Sequence, residues 1–233
     1  MRGLAFGVVG VLAVVGCKEK VDSQDIRTHG VYASFSAVAN GSGTTVSAQL
    51  KVGGSNSNTY LELTGQDKLT ATVGTEKGNL VGSNQTYRAT FTTEEGGTSV
   101  KIAFLRGSAD EDAPNSVATL PEPFTLEGID TNQEVSRQED IVISWDPVAN
   151  DDLEWDLDGD CISLEFGNEM DDPGMLVLTA GSVEPRFSDD ADKTCEVTFT
   201  LDRIRKGTVD ANFGEGGKFE AIQRRRLKFL STP

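Results

Sequence analysis

VYASFSAVANGSGTTVSAQLKV, residues 31–52, decides the fold class. Its first eight residues alternate apolar and small polar side chains, ANGSG supplies turn residues, and TTVSAQLKV alternates again. A period of two puts successive side chains on opposite faces of a strand. Asn40-Gly41 suits the hairpin between the two runs, because both residue types accept positive φ. Working outward, TYLELTG (59–65), KLTATVG (68–74), TYRATFTT (86–93) and SVKIAFLRG (99–107) repeat the pattern, and a last strand is predicted at 116–120. That makes about seven short strands separated by Gly, Asn, Asp and Ser, the spacing of a small sandwich. No later window sustains apolar residues at helical spacing.

Leu120-Pro121-Glu122-Pro123 marks a joint, since proline stiffens the backbone and removes an amide donor. A second strand set follows: PFTLEG, DIVISWDP, LEWDLDGDCISLEF, GMLVLTAGSV, CEVTFTLDRIRKG and FEAIQRRRLKFL. Sparse aromatics sit at alternating strand positions, and Phe35, Tyr87, Phe91, Phe104, Phe166, Phe199 and Phe229 are predicted to be core. With Trp145 ahead of Asp146-Pro147 and Trp155 in the next strand, the second half resembles immunoglobulin-like or fibronectin type III-like domains. The expectation is an all-β chain of two immunoglobulin-like β-sandwich domains in tandem, at 28–120 and 121–233.

The chain opens MRGLAFGVVGVLAVVGC: a positive Arg2, an uncharged apolar run and small residues ahead of Cys17. The run is shorter than the roughly 20 residues that span a bilayer. Val14-Val15-Gly16-Cys17 resembles the lipobox of a bacterial lipoprotein signal peptide. The resemblance implies removal of residues 1–16 and acylation of Cys17, so that the membrane is a partner through the lipid. More than one acyl chain makes such anchoring stable. Lys18-Glu19-Lys20 carries no Asp beside the cysteine, which by that resemblance favours the outer membrane. Residues 17–27 are polar and unpatterned and are read as a tether, with a coil reach of roughly 15–20 Å.

The other two cysteines, Cys161 and Cys195, form an even pair in an exported chain, which reads as a disulfide; two separate buried thiols are the alternative. By the immunoglobulin resemblance Cys161 ends the third strand of its domain and Cys195 begins the penultimate one, and those strands are neighbours.

Acids outnumber bases 37 to 21, for a formal net charge of −16. Such a field repels nucleic acid and favours cationic ligands. The densest run holds Asp151, Asp152, Asp156, Asp158 and Asp160, with Gly159 for a turn. Three readings stand side by side. The acids can face the basic side chains Arg224, Arg226 and Lys228 within one sheet, each opposed pair contributing about 0.2–1 kcal/mol. They can ligate calcium or another divalent ion through carboxylate oxygens, although the glycine is one place early for an EF-hand loop and its closing Glu is missing. Or they can present a surface to a basic partner.

Catalysis has little to draw on. His29 is the sole histidine and lies at the edge of the tether, where nothing orients it as a triad requires. The glycine pairs do not lead from a strand into a helix, so they are turns and not phosphate loops. The leading expectation is a lipid-anchored envelope protein with a binding, adhesion or scaffold role toward an envelope protein or glycan. An adaptor subunit of an export or outer-membrane assembly complex is the alternative, and a carboxylate-based hydrolase comes third.

Overall fold

A computed structural model describes residues 19–83, 85–107, 110–169 and 171–233. Cys17 and the apolar run before it lie outside the described residues. The first half contributes β1 (Glu19–Asp22), β2 (Val31–Ala39), β3 (Thr44–Val52), β4 (Thr59–Glu62), β5 (Lys68–Val73), β6 (Glu76–Asn79), β7 (Val81–Ser83), β8 (Thr86–Phe91), β9 (Ser99–Leu105) and β10 (Ala113–Thr119). The second contributes β11 (Thr125–Glu127), β12 (Glu134–Ser136), β13 (Ile141–Asp146), β14 (Asp152–Gly159), β15 (Glu165–Glu169), β16 (Met175–Leu178), β17 (Cys195–Lys206) and β18 (Gly217–Thr232). The chain is all-β. Among the described residues the only helical segments are three short 3₁₀ turns.

The hairpin β2–β3 pairs in one register from Val31↔Val52 to Ala39↔Thr44. Its alternation is literal: every second residue of β2 is buried, from Val31 to Ala39. At the turn, Ser42 donates from its amide and hydroxyl to the Asn40 side chain. Gly43 has φ +133°, and a Cβ there would lie 2.4 Å from the Phe91 carbonyl oxygen, so only glycine fits.

Eleven strands form one sheet, whose main path runs β1-β4-β3-β2-β18-β17-β14-β15. Two smaller sheets pack on it. The four strands β10-β9-β5-β6 close a first sandwich and the three strands β11-β13-β16 a second. Each has its own core. Phe35, Leu50, Leu69, Ile102 and Phe104 belong to the first; Ile143, Trp145, Leu153, Phe199 and Phe229 belong to the second.

β18 is the shared beam. Its 16 residues span roughly 50 Å at strand rise. Phe219 and Ala221 enter the first core, while Leu227 and Phe229 enter the second. Residues 207–223, assigned by sequence to the second domain, therefore return to the first body, and Phe213 goes with them. The chain crosses between cores at the proline joint, Leu120 lying in one and Phe124 in the other.

Between the cores the inner face of the beam turns polar. Gln223 donates to the Glu94 carbonyl and Arg225 to the Phe124 carbonyl. Arg203 donates to the carbonyls of Glu122 and Pro147 and pairs with Asp172. Both Arg203 and Arg225 lie over the Phe124 ring, at 4.7 and 5.6 Å. A buried guanidinium is tolerated only when paired and hydrogen-bonded, and these groups also satisfy the carbonyls of a proline-rich connector.

The amino-terminal segment departs from expectation. β1 pairs in parallel with β4 from Glu19↔Thr59 to Asp22↔Glu62, and Ser23 and Thr28 are buried. Arg106 makes this possible. Its guanidinium donates to the carbonyls of Ser23 and Ile26 and to the Thr28 hydroxyl, and it pairs with Asp67 and Asp110, both at 3.0 Å. Residues 19–27 are thus part of the folded body, and not the tether that their polarity suggested. The segment's backbone carbonyls, with the Thr28 hydroxyl just beyond it, accept hydrogen bonds from a buried arginine, a partner that periodicity cannot register.

Candidate functional site

β14 positions the acidic run at the far side of the eleven-stranded sheet. Leu153 and Leu157 point into the second core, so Glu154, Asp156 and Asp158 face outward. On β17 the residues beside them are Asp202, Thr200 and Thr198, and on β18 these face Arg224, Arg226 and Lys228. The acidic and basic columns therefore share one face, with β17 between them.

Two of the three bases are taken by acids other than those of the β14 column. Arg224 makes a bidentate pair with Asp202, and Lys228 pairs with Glu196 at 2.6 Å. At the near end of the acidic run, Arg205 holds Asp151 through two bonds of 2.8 Å, and Lys206 pairs with Asp152 at 2.9 Å. Asp151 is buried beneath its arginine and is not the exposed loop residue that its sequence context implies. No ion pair forms at Glu154, Asp156 or Asp158 among the described residues. Burial lifts the Asp156 carboxyl above its ordinary range against a hydrogen bond from Thr200, and the neighbouring Asp202 charge adds to the rise.

Asp160 lies beyond the strand, exposed in the turn that leads to Cys161. The five candidate carboxylates are thus separated: two are tied up by bases, two lie along one strand face, and one is in a turn. Among the described residues no group of three His, Cys, Asp or Glu side chains is placed to hold a metal ion. Oxygen ligands from several directions are what calcium requires, and a flat strand face does not supply them.

Cys161 and Cys195 are bonded, with Cα atoms 5.9 Å apart. The bridge joins the end of β14 to the start of β17, neighbours in the sheet. Buried beside it, Arg137 donates to the carbonyls of Ala191 and Lys193 and to the Ser231 hydroxyl. Composition shows arginines; it does not show that Arg106, Arg137 and Arg203 are interior braces. A polar loop with no apolar anchor of its own was the available signal.

β15 is the second departure. Among the described residues it pairs only with β14, in the register Leu153↔Glu169, Trp155↔Gly167 and Leu157↔Glu165. That register puts Glu165, Gly167 and Glu169 on the core side and Leu164, Phe166 and Asn168 on the outer side. Phe166, predicted to be core, is 74% exposed, and Leu164 is 57% exposed. The other six predicted aromatics are buried. Trp155 explains the inversion. Its indole covers Gly167, where a Cβ would lie 2.8 Å from the ring, so the core-side position opposite Trp155 has no room for a side chain.

Two hollows mark the first sandwich. One, of about 470 Å³, opens where β3 hands its edge from β8 to β4; Leu61, Leu69, Leu80 and Tyr87 line it, with Lys20, Glu62 and Lys68 among its polar members. Tyr87 spans it, its hydroxyl donating to the Leu61 carbonyl and accepting from the Leu63 amide. The other, of about 350 Å³, is a polar trough on the outer sheet face over Ser34, Ser36 and Ser47. His29 is near neither, and packs against Gly214.

No family model matches the chain, and no curated protein matches it. Among solved structures it is similar to the fibronectin(III)-like modules of Clostridium thermocellum CbhA, at 10% identity and a TM-score of 0.25 over 85% of this chain and 94% of that one. It is also similar to a chimeric titin Z1Z2-Z1Z2 tandem carrying a GRGDS peptide from fibronectin, at 13% identity and a TM-score of 0.23 over 86% and 97%. At such scores the likeness carries no argument, and the all-β sandwich assignment rests on the strand pairing and the two cores described above.

Proposed function

We propose that this chain is a lipid-anchored, non-enzymatic binding or scaffold protein of the bacterial cell envelope, held by acyl chains on Cys17. One observation supports this reading most: Glu19, two positions after Cys17 in the sequence, is already in a folded strand, β1. Cys17 is two positions from Glu19, and two residues of chain span at most about 7 Å. A lipid on Cys17 then fixes the first sandwich at the membrane surface. Glu19 lies at the end of the sheet where β2 begins and β3 finishes, the same end at which β18 starts. β18 then carries the second sandwich away from the bilayer, and the disulfide end stands farthest out.

The test compares the full chain with Cys17→Ser in a bacterial host fed an alkyne palmitate analogue. The parent should take up label and enter the detergent phase on Triton X-114 partition. The variant should do neither, while retaining its thermal unfolding midpoint. An unlabelled parent that stays in the aqueous phase would refute the anchor.

A further inference from the structure

We propose that the outer edge of β15 is a docking strand for an extended peptide segment that alternates basic and apolar side chains. Five observations converge on this edge. β15 ends the main path of the eleven-stranded sheet, so one side of its backbone has no ladder partner among the described residues. A strand left in that state offers amides and carbonyls to another chain. Its outer face carries Phe166, with Leu164 just ahead of the strand, both more than half exposed, an unusual cost for a sheet edge on which no further strand lies among the described residues. Its inner face carries Glu165 and Glu169, half-buried on either side of Gly167 and without an ion pair among the described residues. Glu154, Asp156 and Asp158 lie one strand further in and add negative charge to the outer face. Finally, the Trp155 indole N–H that underlies Gly167 is buried with no acceptor.

Register converts these features into a pattern. An added strand places one residue opposite each of Glu165 to Glu169. Basic side chains fit opposite Glu165 and Glu169, a small residue fits opposite Gly167 over the indole, and an apolar one fits opposite Phe166. Opposite charges facing across a strand pair attract, and like charges repel. A second copy of β15 would set glutamates against glutamates, so the charge pattern selects a foreign basic segment over self-pairing. This inference deepens the binding reading above, and it is independent of the lipid.

The probe is a fluorescein-labelled peptide, Thr-Lys-Val-Gly-Val-Lys-Thr, whose palindromic order suits either strand direction. A control replaces both lysines with glutamate. Titrated against the full chain at low salt, the lysine peptide should bind saturably below millimolar concentration and at least tenfold tighter than the control. Phe166→Asp should weaken it at least tenfold, and Glu165→Lys with Glu169→Lys should reverse the preference between the two peptides. Hydrogen exchange should slow at the β15 amides when the peptide is present, a readout that a remote electrostatic effect would not move.

Equal binding of both peptides, no saturable binding, indifference to the three substitutions, or dimerisation through β15 in sedimentation would each overturn the proposal. All variants alter exposed or half-buried positions, and unchanged unfolding midpoints show that loss of binding is not loss of fold. Cys17→Ser separates the two claims: peptide binding retained by a variant that loses membrane partition leaves this edge as a docking strand, whereas a parent chain that partitions without binding the peptide removes only the edge.

Discussion

The two ends of the main sheet path are built in opposite ways. β1 is four residues long and polar, yet the segment behind it is tied down by a buried arginine that makes contacts with Ser23, Ile26, Thr28, Asp67 and Asp110. β15 is of similar length and has one strand-favouring side chain, Phe166, as β1 has Val21, but among the described residues only its ladder to β14 pairs it. At β1 the backbone is polar and the fixing groups are buried. At β15 the apolar groups are outside and the charges face inward. The contrast teaches that a sheet edge can be secured by side chains reaching over from another layer, and that strand propensity does not say which edge is secured.

The largest test of that contrast is to remove the brace. Arg106→Met leaves the fully buried Asp67 carboxylate without its partner. Breaking a buried pair from one side costs about 3–5 kcal/mol. The denaturant midpoint should fall accordingly, and limited proteolysis should cut within residues 19–30 while β15 stays intact. A loss below about 1 kcal/mol, within the range of an exposed ion pair, would mean that β1 holds through its ladder alone.

The second test acts at the other end. Cys161 sits three residues before Leu164, so the disulfide, and not β15 itself, fixes the point from which the edge strand departs. Replacing Cys161 and Cys195 together by serine opens a loop with a sequence separation of 34, which in the chain-entropy account costs about 3–4 kcal/mol. Hydrogen exchange should accelerate in β15 before it does in β1. Equal acceleration at the two ends would show that the bridge stabilises the whole sheet and not the edge.

Acid should separate the ends by sign. For Asp110, beside β1, burial works to raise the carboxyl, but the amides of Thr28 and Glu111 and the Arg106 charge outweigh it and hold it below its ordinary value of 3.8. A lowered folded value stabilises above 3.8, and that stability is lost as pH falls through the folded value. For Asp156, beside β15, burial and then Asp202 raise the carboxyl above 3.8. A raised folded value penalises the charged form at neutral pH, and the penalty is relieved as pH falls through the folded value toward 3.8. Asp110→Asn should therefore lower the unfolding midpoint at pH 7, and by progressively less as pH falls below 3.8. Asp156→Asn should raise it at pH 7 and abolish the relief on acidification. The same sign for both variants at pH 7 would contradict the assignment.

Much of the fold was legible because a hairpin such as residues 31–52 encodes its own register: the apolar period matches the buried face position by position. The acidic run was legible as chemistry but not as geometry. Asp151 and Asp152 meet Arg205 and Lys206 across a separation of 54 residues, and no local spacing encodes that pairing. β1 was missed for the same reason, since Arg106 is 83 positions from Ser23. The return of residues 207–223 to the first core was hidden by β18 itself. Its pattern runs unbroken from Phe219 to Phe229, and nothing local marks where one core gives way to the other.

Phe166 sharpens the comparison with the smallest effect. Sequence pattern makes it equivalent to Phe229, which is wholly buried in the second core, yet the structure separates them by face. Truncating a buried phenylalanine costs about 3–5 kcal/mol through lost transfer energy and the cavity left behind. An exposed position away from caps and networks changes stability by about 0.5 kcal/mol or less. Phe166→Ser should therefore leave the unfolding midpoint nearly unchanged, while Phe229→Ala lowers it by several degrees or prevents folding. If Phe166→Ser were instead as costly as Phe229→Ala, the register Asp156↔Phe166 would be wrong by one residue. A one-residue slip exchanges every side chain between faces. The glutamates would then point outward, the aromatic inward, and β15 would be an ordinary edge with no apolar face to offer a partner.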